Sequence, residues 1–130
     1  MRILMNMNAR SPNSSRRCPQ ATHKDWYPAR YLGAQDFGGV HSNSGIGNLA
    51  FKLMTTGGPH PRLRTPIMVP AIGIQLAAQT WYRALRFYMP ANCSFRTARY
   101  ATARAVFDLT RNANQRTAVH TAWDAVGVPR

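Results

Sequence analysis

Asp36 and His41 stand five residues apart in the segment Asp36-Phe-Gly-Gly-Val-His-Ser-Asn-Ser-Gly-Ile-Gly-Asn48. A carboxylate that accepts one ring N–H fixes the imidazole tautomer and favours the imidazolium. The second ring nitrogen is then free to donate to an oxygen on which negative charge develops. Gly38 and Gly39 let the backbone turn tightly enough for Asp36 to reach the ring across so short a span. On spacing alone, the same residues also describe a helix cap beside a surface histidine.

No other set of side chains has a comparable pattern. The four histidines (His23, His41, His60 and His120) include no i, i+4 pair, and the 130 residues contain no glutamate at all. An HExxH zinc helix is therefore absent. Cys18 and Cys93 lie in no CxxC or metal-ligand spacing, which leaves two thiols or one long-range disulfide.

Those residues need a scaffold, and the chain has the length and apolar content for one. Its 130 residues are 45% hydrophobic, enough for a single domain with a modest core. Fifteen Arg and two Lys against four Asp give a net charge of +13. Such an excess points to a polyanionic partner, and a basic helical module that binds nucleic acid is the alternative function. Against it, the arginines are scattered from Arg2 to Arg130, no nucleic-acid motif surrounds them, and the excess arises partly from missing acids. No stretch is long enough to span a membrane. The opening Met1-Arg-Ile-Leu-Met-Asn-Met-Asn8 has no sustained apolar region, so it does not read as a signal peptide.

Residues 1–23 are rich in Ser, Asn, Pro and Arg and are expected to be irregular. Beyond them the periodicity predicts an all-α bundle of about four helices. The first spans Asn43 to Thr55, with Ile46, Leu49, Ala50, Leu53 and Met54 as its apolar stripe, Asn43 or Ser44 as its cap and Gly57-Gly58 as its stop. Four prolines between 59 and 70 predict an extended connection. The second helix runs from Gln75 to Met89, burying Ile74, Ala77, Ala78, Trp81, Leu85 and Tyr88, and Pro90 ends it. The third follows Asn92–Ser94 to Thr110, burying Phe95, Ala98, Thr102, Ala105, Val106 and Leu109. The fourth spans Ala113 to Val126, with Ala118, Val119, Ala122, Trp123 and Val126 inward. Arg83, Arg86, Arg96, Arg99 and Arg104 are read as solvated helix faces. The short connections predict neighbouring helices that pack together.

The segment Gly38-Gly-Val-His-Ser-Asn-Ser-Gly-Ile46, with Asn48 and Ala50 beyond it, resembles the GGVHxNSGIxNxA pattern of the thermolysin-like zinc metalloendopeptidases. Asp25-Trp-Tyr-Pro-Ala-Arg-Tyr31 upstream is similar to that family's aromatic-rich approach. Val69-Pro-Ala-Ile-Gly73, Trp81-Tyr-Arg-Ala-Leu85, Phe107-Asp-Leu109 and Ala122-Trp-Asp-Ala-Val-Gly-Val128 follow its order downstream. The resemblance covers residues 24–128 and implies the C-terminal helical lobe of a secreted peptidase that hydrolyses peptide bonds with zinc-activated water. It implies His41 as the transition-state-stabilising histidine, Asp36 as the carboxylate that orients it, and Arg10 as the contact to a substrate carbonyl, with Arg2 and Arg16 as competitors. Phe37 stands where the family usually has asparagine, and residues 1–23 barely match. The family's zinc ligands, its general base and its calcium-binding acidic clusters have no counterpart in this sequence. The implied partners are a peptide or protein substrate and a metal-bearing N-terminal half, without which the isolated chain is expected to be inactive.

Overall fold

The stripe from Ile46 to Met54 is buried along its length, and the other helices assemble on it. The computed structural model describes residues 24–130. A 3-10 turn (Tyr27–Ala29) precedes α1 (Gln35–Thr56), α2 (Ile74–Phe87), α3 (Phe95–Thr110) and α4 (Ala113–Ala125). The architecture is all-α, as the periodicity predicts. Helices α2 and α4 pack against α1, while α3 packs on α2 and α4. The proline-rich connection folds back through one antiparallel bridge between Gly58 and Val69.

Local chemistry explains most helix ends. Gly57, at φ 70, terminates α1. Ser94 Oγ caps α3 by accepting from Thr97 N at 3.1 Å, and Asn112 Oδ1 caps α4 by accepting from Asn114 N at 2.8 Å. At the centre, Trp81 and Trp123 lie 5.7 Å apart between ring centroids, with Phe51 and Phe95 on their flanks.

The structure corrects several expectations. Ile74 and Leu109 lie near helix ends and remain 58% and 42% exposed, because the apolar stripe there runs past the helices that would cover it. Ala78 also faces solvent. Arg99 is fully buried instead of solvated. Its guanidinium has partners on three sides: His120 Nδ1, the Val128 carbonyl and the Asp124 carboxylate. A cation survives in a core only when it is paired with an opposite charge and most of its donors are met.

Candidate functional site

Helix α1 contains a left-handed turn before its regular part, and that turn builds the site. Asp36, Phe37, Gly38 and Gly39 have φ values of 54, 48, 80 and 83° in succession. Reversing the chain there aims Asp36 back at the residues that follow. Asp36 Oδ2 accepts from the backbone N–H of His41 at 2.8 Å and of Ser42 at 3.2 Å. Asp36 is thus the true cap of the right-handed helix, in place of Asn43 or Ser44. The other oxygen, Oδ1, lies 2.5 Å from His41 Nδ1. One carboxylate therefore both starts the helix and holds the ring.

The expected cap residues have other tasks. Ser44 Oγ donates to the His41 carbonyl at 2.6 Å. Asn43 Oδ1 accepts from Tyr31 N at 2.8 Å, and its Nδ2 donates to Tyr31 O at 2.9 Å. This two-point clamp fixes the chain entering the turn to the helix leaving it. Gly39 sits between them: a Cβ there would fall 2.8 Å from both Asn43 Nδ2 and the Tyr31 ring, so only glycine fits. Sequence reasoning missed the clamp because its signal, a single asparagine after the histidine, equally suits a cap.

The electrostatics follow from the geometry. The Asp36 carboxyl is held below its ordinary value of 3.8, chiefly by the His41 ring; desolvation opposes this, and the two backbone N–H groups add to it. Lowering it in the folded state means that its contribution to stability is present above about pH 4 and lost as the pH falls below that value. The His41 side chain is 54% exposed, so the ring is held at one edge and accessible at the other. Because an ionised carboxylate only accepts, Nδ1 carries a proton and Nε2 can donate only from the doubly protonated ring.

Phe37 is the weak point of the turn. It occupies a left-handed conformation with a 91% exposed side chain, so nothing it touches offsets the steric cost. Asparagine visits this region readily. Phe37→Asn is expected to stabilise the chain by about 1 kcal/mol and to raise Tm by about 4–8 °C, read from a thermal melt. An unchanged or lower Tm would mean that the turn stores no strain at this position.

Of the residues implied as functional, Asp36 and His41 come together, while Arg10, Arg2, Arg16 and Cys18 lie outside the described residues. No group of three or more His, Cys, Asp or Glu side chains among the described residues is placed to hold a metal ion. The four aspartates are each already engaged: Asp25 with Arg62 and His60, Asp36 with His41, Asp108 with Arg83 and Tyr88, and Asp124 with Arg99 and Arg130. The described part of the chain therefore does not fit a zinc site.

Comparison with known proteins places this chain in a family. The chain is 43% identical over 105 residues to a bacillolysin from Brevibacillus brevis, covering 80% of this chain and 19% of that protein. It is 40% identical over the same length to a thermolysin from Alicyclobacillus acidocaldarius and 38% identical to neutral protease B from Bacillus subtilis. It thus spans about a fifth of the length of these relatives. The family model for the thermolysin metallopeptidase alpha-helical domain matches residues 3–128, and the chain belongs to that family of zinc-dependent peptidases.

Proposed function

We propose that the chain contributes the oxyanion-stabilising side of a thermolysin-like endopeptidase site and acts together with a metal-bearing N-terminal portion. The observation that carries this reading is the Asp36–His41 pair, preformed at 2.5 Å on the left-handed turn that opens α1. In the imidazolium form, Nε2 donates to the oxygen of a scissile peptide carbonyl as it becomes tetrahedral. The Asp36 carboxylate keeps the ring from rotating away and balances its charge. Arg10 is the proposed contact to a substrate backbone carbonyl.

Two further observations support a partner on this side. Leu32, Phe37 and Val40 flank the pair with exposures of 78%, 91% and 55%. Exposed apolar side chains near a polar site in the chain are in keeping with a cleft that a second lobe covers. Moreover, no group of three or more His, Cys, Asp or Glu among the described residues is placed to hold a metal ion, which is in keeping with nucleophile activation by the other portion.

The test is complementation. The chain is refolded with a separately produced HExxH-bearing lobe of the family, and hydrolysis of a fluorogenic peptide is followed. Neither portion alone should cleave, and the mixture should. Cleavage by this chain alone, or an inert mixture that nevertheless co-elutes as a complex, would overturn the proposal.

A further inference from the structure

The buried guanidinium of Arg99 is the centre of a second device, which peptide hydrolysis does not use. From α3, its Nε donates to His120 Nδ1 on α4 at 3.1 Å, and its Nη1 donates to the Val128 carbonyl at 2.7 Å. Its Nη2 lies 2.6 Å from Asp124 Oδ1, an ion pair outside hydrogen-bonding angles. Asp124 Oδ2 also accepts from Arg130 at 3.2 Å. One cation thus ties α3, α4 and the C-terminal segment together.

We propose that protonation of His120 opens this tie, releasing residues 126–130 and the approach residues 26–28 that are docked on them. The guanidinium has donors only, so the His120 Nδ1 that receives its N–H must be bare and the neutral ring carries its proton on Nε2. Adding a second proton removes the acceptor and sets an imidazolium against a buried guanidinium. Arg99 then has to turn, and the Val128 carbonyl loses its partner.

The segment that depends on this contact is closely fitted. Val128 N donates to Trp123 O at 3.1 Å, and Tyr27 N donates to Val126 O at 2.9 Å. Gly127, at φ 81, lies under the approach segment so tightly that a Cβ would meet Pro28 Cδ at 2.7 Å and the Trp26 ring at 2.8 Å. Loosening the tail therefore removes the support beneath Trp26, Tyr27 and Pro28, while Lys24 stays bonded to the Ser42 carbonyl and Tyr31 to Asn43.

The surroundings of His120 favour the neutral ring. It faces Arg99 from α3, Arg116 and Asp124 from α4, and Arg130 from the tail, with the Tyr100 ring at its edge 5.8 Å away. Three cations oppose one carboxylate, and that carboxylate is already shared by Arg99 and Arg130. Burial, then Arg99, hold the imidazole below its ordinary 6.5. A depressed folded value means that the latch contributes fully above about pH 6.5 and is lost as the pH falls below it.

Amide hydrogen exchange on the whole chain tests the proposal, with rates corrected for their intrinsic pH dependence. Protection of Tyr27 and Val128 is expected to fall by about tenfold or more between about pH 7.5 and about pH 5. In His120→Gln, whose side-chain oxygen accepts from Arg99 without titrating, protection should hold at both values. This also separates His120 from His41 and His60. Unchanged protection in the unsubstituted chain, or a loss that persists in His120→Gln, would overturn the latch. Should that variant fail to fold, the ring nitrogens of the unsubstituted chain decide by ¹⁵N spectroscopy. Their protonation must track the loss of protection at Tyr27 and Val128, and a titration out of step refutes the coupling. None of this depends on the role proposed for His41.

Discussion

Replacing Trp123 by alanine is expected to cost about 3–5 kcal/mol. Its side chain is wholly buried on α4 and reaches both of the other packed layers. The indole stacks at 5.7 Å from Trp81 on α2 and at 6.5 Å from Phe95 at the start of α3. Its Nε1 donates to Thr102 Oγ1 at 2.9 Å, which in turn donates to the Ala98 carbonyl at 2.8 Å. Truncation therefore removes the common wall of three helices and leaves a cavity that backbones fixed by neighbouring contacts cannot close. A domain of this size holds about 5–15 kcal/mol in total, so the variant should be largely unfolded at 37 °C or melt far below the parent. Urea denaturation followed by helical circular dichroism reads the change. Trp123→Phe keeps most of the volume and should recover more than half of the loss. A variant that melts within a few degrees of the parent would place the core elsewhere.

The same tryptophan shows what the residue pattern conveys and where it stops. In α1 and α4 the stripes Ile46–Met54 and Ala118–Val126 are buried at every position read from their spacing. Both helices are covered along their length, so the 3.6-residue period alone decides which side faces inward. In α2 and α3 the period is equally regular, yet Ile74 and Leu109 are exposed, because burial at a helix end depends on where its neighbour stops. Arg99 is the instructive exception. It lies four residues after Phe95 and three before Thr102, inside the buried stripe, and only its charge argued for solvent. Its partners, His120, Asp124 and the Val128 carbonyl, come from more than twenty residues away, a separation that local pattern does not encode. The site divides in the same way. Asp36 and His41 are legible because a short loop must bring them near each other. The left-handed turn that does so needs positive φ at two residues that are not glycine, and no propensity would assign that to Phe37.

His41→Ala, introduced into the chain when it is assembled with a metal-bearing lobe, is expected to lower kcat by about 10²–10³ while KM changes little. The asymmetry follows from the timing of the interaction. A ground-state carbonyl oxygen accepts weakly, whereas the tetrahedral oxyanion carries nearly a full charge, so the hydrogen bond from Nε2 strengthens only as the barrier is climbed. Asp36→Asn should give a smaller fall in kcat, since the ring remains but its orientation and charge balance do not. It should also lower Tm, because the amide keeps an oxygen for His41 N and Ser42 N but loses the charge-assisted bond to the His41 ring. A merely structural Asp36 would change Tm and leave kcat per folded molecule intact. A raised KM with kcat unchanged for His41→Ala would instead assign the ring to ground-state binding.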